Sequence, residues 1–313
     1  MLKKRWIILL VSIIPLIALI SLAFQEDKPK VIVVLQRLDI EYWKAFESGA
    51  KKAFNDFNID GEVISPDSLY PVTNQPNLLK KVLKQNPDAL IVSTTHPSVG
   101  NPVLMEYKKK NIPVFLTTTD VEWEYQASYI GTDNIALGET AGMLLGSMLY
   151  PGDQVAIILG RLDDQTILNQ RNGAKKVLED VGIKIVAEPL GYDKFGNPRP
   201  VMENILRNYP NLKGVVATTD RIALEALKEI EEKGLRIPIV GTDGLTKMAE
   251  SVGAGKISAT VGHNPYDMGY LSVEQAGKVL SGEHIEKRID SGIDIITEDN
   301  AKERLDFLKK ILD

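Results

Sequence analysis

The sequence contains no cysteine and only three histidines among its 313 residues. The absence of cysteine excludes a disulfide framework, a metal site held by thiolates and a cysteine nucleophile. His96, His263 and His284 do not have the spacing of a metal site. The net charge of −5 gives no electrostatic reason to expect nucleic acid as a partner.

Motifs of nucleotide binding and of catalysis are also missing. No G-x-G-x-x-G follows the first predicted strand, and the Gly-Ala-Gly-Lys at 253–256 lacks the first glycine and the following Ser or Thr of a phosphate loop. Ser93, Ser128 and Ser147 do not lie in the sequence setting of a nucleophile elbow. We therefore predict that the protein is not an enzyme and uses neither a cofactor nor a metal.

A long uncharged segment is present near the N-terminus. Residues 6–24 carry no charge, and three basic residues stand at positions 3–5. About 20 residues cross a bilayer as a helix, and preceding basic residues favour a cytoplasmic N-terminus. The length favours a retained membrane anchor, whereas the Ser-Leu-Ala at 21–23 is typical of a cleaved signal peptide. Both interpretations place the chain from about residue 25 outside the cytoplasmic membrane, and we expect a tether through the N-terminal helix.

From residue 30 onward, short apolar runs alternate with segments of helical period. Residues 31–35 are predicted as a strand buried on both faces, and residues 42–57 as an amphipathic helix. Repeated alternation of this kind is typical of parallel sheets with crossover helices. About ten predicted strands are more than one open sheet holds comfortably, so we predict an α/β fold of two Rossmann-like lobes with parallel sheets.

Open α/β sheets place their ligands at the carboxyl ends of the strands. The turns predicted there are rich in side chains that bond hydroxyl groups: Gln36, Arg37, Asp39, Thr118, Asp120, Arg161, Asp220, Asp243, His263 and Asn264. Tyr42 and Trp43 add flat apolar faces. Polar side chains with aromatic platforms predict a carbohydrate site.

Simpler interpretations of these residues remain open. Asp243 with Gly244 is also typical of an ordinary turn, and we expect that turn to be solvated. Thr219 or Asp220 is a candidate cap for the helix that follows. Tyr42 and Trp43 could both belong to the core, although two adjacent helical residues do not face the same side, so we expect one of them to face the cleft.

From residue 31 to its C-terminus the chain resembles the type I periplasmic sugar-binding proteins, the ribose- and xylose-binding group. The segments that carry the resemblance are 31–50 with its Tyr-Trp and Ser-Gly-Ala, 111–114, 129–134, 217–228, 237–244 and 259–265. The resemblance implies two lobes joined by a three-segment hinge, with a sugar held between them. It also implies an N-terminal lobe of residues 30–132 plus 264–291 and a C-terminal lobe of residues 133–263 plus 292–313.

The resemblance assigns roles residue by residue. Tyr42 and Trp43 match the aromatics that stack on the sugar ring, and Asp243 matches the acidic acceptor of its hydroxyls. His263 stands where glutamine is usual in the family. Thr219 and Asp220 match the position of the polar neighbour of that acidic acceptor. Arg161, Asn169 and Arg171 are candidates for contacts from the second lobe. Thr118 and Thr119 replace the acidic residue and arginine of many ribose-type members, so the identity of the sugar stays open.

The resemblance implies a solute-binding protein that captures a monosaccharide by hinge closure and presents it to an ABC transporter in the membrane. One alternative is a membrane-tethered sugar sensor that signals to a histidine kinase. A distant alternative is the effector-binding core of a regulator related to the lactose repressor. Those regulators begin with a DNA-binding helix-turn-helix, whereas this chain begins with a hydrophobic segment.

Overall fold

The computed structural model describes residues 28–66, 71–95, 97–121, 123–161, 164–192 and 196–313. The predicted membrane anchor at 6–24 and His96 lie outside the described residues. Within the described part, no helix is both long enough and apolar enough to cross a membrane.

Strands and helices alternate along almost the whole described chain. In chain order they are β1 (Lys30–Val34), α1 (Glu41–Asp56), β2 (Asp60–Ile64), α2 (Pro71–Lys84), β3 (Ala89–Val92), α3 (Pro97–Lys109), β4 (Val114–Thr117), β5 (Ser128–Gly131), α4 (Asn134–Gly146), β6 (Gln154–Ile158), α5 (Gln165–Asp180), β7 (Lys184–Ala187), α6 (Arg199–Asn208), β8 (Leu212–Ala217), α7 (Asp220–Glu232), β9 (Ile239–Asp243), α8 (Thr246–Gly253), β10 (Ala259–His263), α9 (Pro265–Leu280), β11 (Arg288–Asp290), β12 (Ile293–Ile296) and α10 (Ala301–Leu312).

The first lobe is built on a six-stranded sheet of order β11-β5-β4-β3-β1-β2, in which all neighbours are parallel. Helices α1 and α9 pack on one face of this sheet, and α2 and α3 pack on the other. Its central strands are buried on both faces, which explains why β1 and β3 contain hardly any polar residues.

The second lobe repeats this architecture on a six-stranded sheet of order β12-β10-β9-β8-β6-β7. Helices α6, α7 and α8 cover one face, and α4 and α5 cover the other. Strand β12 is antiparallel to β10, while the other neighbours are parallel. The predicted fold class, two α/β lobes with mostly parallel sheets, is confirmed.

The chain passes between the two sheets three times within the described residues. It does so between β5 and α4 at residues 132–133, between β10 and α9 at residue 264, and between β11 and β12 at residues 291–292. Short crossings of this kind restrict relative motion of the lobes to bending at the crossings. The division of the chain into two rigid bodies at these points stays a prediction.

Helices α1 and α9 approach each other closely in the first lobe because glycines stand at their contact. A Cβ at Gly49 would lie 1.9 Å from the carbonyl oxygen of Tyr266, and one at Gly269 would lie 2.1 Å from that of Phe46. Both distances are far below van der Waals contact. The close packing fixes the start of α1, which carries Tyr42 and Trp43 to the edge of the sheet.

Candidate functional site

The carboxyl ends of strands from both sheets meet at one cavity of about 260 Å³, here called the cleft cavity. Larger cavities occur on the molecule, but this one lies at the strand ends of both lobes, where α/β folds place ligands. Its lining combines hydroxyl, amide and carboxylate groups with a few apolar side chains: Gln36, Ile40, Tyr42, Trp43, Thr118, Thr119, Thr132, Asn134, Asp164, Thr166, Ile167, Gln170, Thr218, Thr219, Asp243, Leu245, His263 and Met268.

Two aromatic side chains form the apolar wall of the cleft cavity. The rings of Tyr42 and Trp43 meet edge to face with centroids 5.0 Å apart. Trp43 is only 6% exposed and packs on Phe46, so it belongs to the core and also lines the cavity. The Tyr42 hydroxyl donates to the sulfur of Met268 at 3.6 Å. Both rings therefore line the cavity, rather than only one of them as the helical period predicts.

His263 is buried at the end of β10 and is held by hydrogen bonds from both ring nitrogens. Its Nε2 lies 3.2 Å from the amide nitrogen of Gln170, and its Nδ1 lies 3.0 Å from the hydroxyl of Thr132. The Gln170 amide nitrogen also donates to Asn134 Oδ1 at 3.1 Å. Because an amide nitrogen only donates, Nε2 accepts and Nδ1 carries the proton that it donates to Thr132. Burial lowers the pKa of His263 to about 4, so the ring is neutral at pH 7.

Asp243 ends β9 and points a half-buried carboxylate into the cleft cavity. Its Oδ2 accepts a hydrogen bond from the backbone N–H of Asp220 at 3.1 Å, and its Oδ1 lies 4.0 Å from Nε2 of His263. Burial raises the pKa of Asp243 to about 7. The expectation that Asp243 lies in a solvated turn is therefore wrong, because the residue ends a strand and its side chain is only 23% exposed.

Two residues that face the cleft cavity have backbone conformations that are rare outside glycine. Asp243 has φ = 95°, and Thr118 has φ = 60°. A β-branched residue such as threonine is strained in the left-handed region, and strain of this kind concentrates at functional sites. The fold therefore holds both side chains toward the cavity against their local preference.

Arg304 holds the ends of β9 and β10 in place by hydrogen bonds to their backbone. It is 8% exposed, and its guanidinium donates to the carbonyl oxygen of Gly244 at 3.0 Å and to that of His263 at 3.3 Å. A third hydrogen bond reaches Asp294 at 3.1 Å. These bonds connect α10 with the ends of β9 and β10, and so fix the positions of Asp243 and His263.

A sequence model of the periplasmic binding protein domain matches residues 31–284. The chain belongs to the periplasmic binding protein family. This confirms the resemblance to the type I members that the sequence indicates.

Known proteins and solved structures resemble this periplasmic binding protein over most of its length. The ribose import binding protein of Haemophilus influenzae is 26% identical over 283 residues, which cover 90% of this chain and 95% of that protein. The glucose-galactose binding protein of Geobacillus stearothermophilus superposes with a TM-score of 0.79 at 26% identity, covering 88% of this chain and 99% of that chain. A solute binding protein of Actinobacillus succinogenes with bound D-allose gives a TM-score of 0.81 at 23% identity, covering 88% and 100%.

Of the residues predicted for the site, seven line the cleft cavity of this periplasmic binding protein: Gln36, Tyr42, Trp43, Thr118, Thr219, Asp243 and His263. Thr219 also caps α7, since its hydroxyl accepts from the backbone N–H of Ile222 at 3.3 Å. The predicted cap is therefore confirmed, while contact of Thr219 with a ligand stays a prediction. Gln36 donates to the Thr119 hydroxyl at 3.1 Å and so links the turns after β1 and β4.

Asp220 lies behind the cavity wall rather than in it. It is 4% exposed, and its Oδ2 accepts from the backbone N–H of Leu245 at 2.8 Å. Its Oδ1 accepts from the hydroxyl of Thr260 at 3.3 Å. Burial, together with the nearby charge of Asp243, raises the pKa of Asp220 well above its ordinary range. Asp220 thus does not line the cavity, and its backbone N–H, which donates to Asp243, acts to lower the pKa of that carboxyl against the effect of burial.

The remaining predicted residues do not line the cleft cavity. Arg37 pairs with Asp39, Arg171 pairs with Glu188, Asp120 pairs with Arg288, Asn169 accepts from Gln165, and Arg161 is exposed. Asp120 and Asn169 line a neighbouring pocket beside the first crossing, which shares Thr132, Asn134 and Thr166 with the cleft cavity. Contact of any of these predicted residues with a ligand stays a prediction.

Several residues that line the cleft cavity were not predicted from the sequence, among them Gln170, Asn134 and Asp164. Gln170 lies between the two candidates Asn169 and Arg171, which face different sides because neighbours on a helix are about 100° apart. Asn134 lies within the segment 129–134 that carries the family resemblance, so this segment could have identified Asn134 as a site residue. Asp164 caps α5 by accepting from the backbone N–H of Thr166 at 3.0 Å, and its type alone does not distinguish a cap from a ligand contact.

Proposed function

We propose that this periplasmic binding protein captures a monosaccharide in the cleft cavity and delivers it to an ABC importer in the membrane. The observation that carries the proposal is the lining of the cavity, in which two aromatic rings and a set of hydroxyl-bonding side chains come from both lobes. The relatives support it, since a ribose import binding protein and a D-allose-binding periplasmic protein of Escherichia coli, 24% identical over 269 residues (79% of this chain, 85% of that protein), are among them.

The lining has the chemistry that a sugar ring requires. Tyr42 and Trp43 offer aromatic surface to the apolar C–H faces of the ring. Asp243 and Gln170 offer acceptors to its hydroxyl groups, and Thr118 is able both to donate and to accept. Carboxylate–hydroxyl hydrogen bonds are charge-assisted and therefore the strongest of this set.

Binding at this site is coupled to closure, because each lobe supplies part of the lining. A ligand that contacts both lobes stabilises the closed form in proportion to its difference in affinity for the two forms. Changing the ratio of the closed to the open form from 1:99 to 99:1 requires a difference of about 5.5 kcal/mol between the binding free energies of the two forms. Several charge-assisted hydrogen bonds of about 1.5–3 kcal/mol each are sufficient. The lobes that move are residues 30–132 with 264–291 and residues 133–263 with 292–313.

The family supports an extracytoplasmic location, and the importer is the partner that recognises the closed form. A retained hydrophobic segment at 6–24 would hold the protein at the outer face of the cytoplasmic membrane. Its retention stays a prediction. Because Thr118 and Thr119 replace the charged pair of ribose-type members, the proposal extends to pentoses and hexoses in general.

A thermal-shift screen of the full-length chain against pentoses, hexoses and their amino and deoxy forms tests the proposal. A ligand at a hundred times its dissociation constant adds about 2.7 kcal/mol to the free energy of unfolding, which is readily visible. We expect at least one sugar to raise the melting temperature. A folded protein that responds to no sugar in the panel would overturn the proposal.

A pair of matched variants then locates the site. Tyr42→Leu removes the flat ring in the cleft cavity, and Tyr125→Leu makes the same change at an exposed position outside it. We expect the first to weaken sugar binding about tenfold and the second to leave it unchanged. Equal affinities of the two variants would show that the sugar binds elsewhere.

A further inference from the structure

Two carboxyl side chains line the cleft cavity, and no basic side chain accompanies them in the described part of its lining. Asp164 and Asp243 both line it, and no lysine or arginine is found among the described residues that do so. His263 contributes no positive charge at pH 7, because burial lowers its pKa to about 4. A neutral ligand would leave both carboxylates without a counter-charge.

Arginines in the turns and helices around the cleft do not supply this charge. Arg37, Arg171 and Arg288 are paired with carboxylates outside the cavity, namely Asp39, Glu188 and Asp120. Arg304, the buried cation behind the strand ends, directs its hydrogen bonds to Gly244, His263 and Asp294 and does not line the cavity. None of these four arginines lines the cleft cavity.

A second observation, independent of charge, is an acceptor that lacks a donor. Gln170 is 2% exposed and lines the cavity. Its amide nitrogen donates to Asn134 and His263, but within the described part of the chain its Oε1 has no hydrogen-bond partner. Buried polar atoms are nearly always paired, so this oxygen indicates a donor on the ligand.

The same region holds a second acceptor with spare capacity. Asp243 Oδ1 lies 4.0 Å from His263 Nε2, the atom that already accepts from the Gln170 amide. No described residue donates a hydrogen bond to this oxygen, while Oδ2 is engaged by the backbone of Asp220. Gln170 and Asp243 thus both line the cleft cavity and both lie beside the same ring nitrogen of His263. An ammonium group has three N–H donors and a positive charge, so it is able to donate to both acceptors, one of which belongs to a carboxylate.

We propose that the ligand of the cleft cavity is an amino sugar, bound as its ammonium form with the ammonium group against Asp243 and Gln170. This inference rests on the proposed function and names the substrate class. The charge of the cavity disfavours sugar acids and sugar phosphates, since their anionic groups would enter beside Asp164 and Asp243. Burial also raises the pKa of Asp243 to about 7, and a bound cation would favour its ionised form.

Calorimetric titration of the full-length chain with matched sugars tests the inference. For each of glucose, galactose and mannose, the probes are the 2-amino sugar, its N-acetyl form, the parent hexose and the corresponding uronic acid. We expect one 2-amino sugar to bind about tenfold more tightly than its parent, with weaker binding of the N-acetyl form and none of the acid. A parent sugar or pentose that binds at least as tightly as every amino sugar overturns this inference and leaves the proposed function intact. Binding of no sugar at all overturns both.

Variants of single carboxylates show whether the charge or the shape of the cleft cavity causes the preference for the amino sugar. Asp243→Asn keeps the shape and tolerates the left-handed backbone, but removes the charge. We expect it to lower the preference for the amino sugar over its parent to about twofold or less. Asp56→Asn, at an exposed carboxylate paired with Lys52, is the matched control and keeps the full preference. If Asp243→Asn does not fold, Asp164→Asn provides the test, because asparagine caps a helix as well as aspartate does. A full preference in the folded variant overturns the inference.

Discussion

The carboxylate of Glu41 accepts two hydrogen bonds from Thr246, one from the backbone nitrogen and one from the hydroxyl, each 2.7 Å from Oε1. Glu41 is the first residue of α1 in the first lobe, and Thr246 is the first residue of α8 in the second. Helix α8 has no side-chain cap of its own, since Leu245 occupies its N-cap position. Glu41 therefore caps a helix of the opposite lobe and faces the positive end of that helix.

Removing this contact is expected to weaken ligand binding by destabilising the closed form. A hydrogen bond to a charged group contributes about 1.5–3 kcal/mol, so Glu41→Ala should raise the dissociation constant about tenfold or more. The loss should appear mainly as faster dissociation of the sugar, measured by stopped flow. Glu41→Gln keeps an acceptor oxygen and should recover part of the affinity.

The matched control for Glu41 lies on the same helix. Glu47 pairs with the exposed Lys51 one turn later and does not line the cleft cavity. Glu47→Ala should leave the dissociation constant within about twofold, because surface ion pairs contribute little. A Glu41→Ala protein with unchanged dissociation kinetics would contradict the role of this contact in closure.

Asp243 is expected to make the ligand-free protein less stable as the pH rises. Its pKa is about 7 in the folded state, whereas the ordinary value is 3.8, so between these values the folded chain keeps a proton that the unfolded chain has lost. The free energy of unfolding therefore falls as the pH rises from about 4 to about 7. Asp243→Asn, which resembles the protonated form, should melt at a higher temperature than the wild type at pH 8 and show a smaller difference at pH 5. A difference that is independent of pH would contradict this.

His263 is expected to act in the opposite direction. Its pKa is about 4 in the folded state against an ordinary value of 6.5, so the unfolded chain takes up a proton in this range before the folded chain does. The contribution of His263 to stability is complete above about pH 6.5 and is lost as the pH falls toward 4. His263→Gln keeps a donor and an acceptor, and should reduce the fall in melting temperature between pH 7 and pH 4.5. His284→Gln, at an exposed histidine, is the control and should leave that fall unchanged.

Two glycines of α9 should respond to alanine in opposite ways. A Cβ at Gly269 would lie 2.1 Å from the carbonyl oxygen of Phe46, whereas one at Gly277 would lie 3.5 Å from its nearest neighbour, a methyl carbon of Ile59. Gly269→Ala must separate α9 from α1 and should lower the free energy of unfolding by about 1–3 kcal/mol. Gly277→Ala should raise it by up to about 1 kcal/mol, because alanine favours the helix. Urea denaturation measures both changes in the free energy of unfolding. Equal effects would mean that α1 and α9 move apart at little cost in free energy.

The sequence predicted the alternation of strands and helices, and the bounds predicted for β1 and α1 are each shifted by one residue. Helix α1 begins at Glu41 rather than at residue 42, and β1 ends at Val34 rather than at residue 35. The prediction missed β11 and β12, because each has only three or four residues and neither is continuously apolar. Their pairing depends on β5 and β10, which lie far away in sequence, so no local pattern indicates it.

The predicted residues that line the cleft cavity come from strand ends and from α1, whereas the candidates predicted on α5, Asn169 and Arg171, do not line it. Asp243 and His263 end strands of one sheet, and the parallel direction of those strands brings them to the same edge. Gln170, by contrast, reaches the cleft from α5, where an error of one residue changes the face by about 100°.

The sequence by itself determined the alternation of buried strands and helices, and with it the two parallel sheets and the edge at which polar side chains gather. These properties follow from periodicity, which acts over a few neighbouring residues. Only the tertiary structure decided that Arg171 and Asp120 pair outside the cleft cavity, that Glu41 caps a helix of the other lobe and that Asp243 lies beside Asp220 and His263. Each of these depends on contact between residues that are distant along the chain, and local sequence patterns do not carry that information.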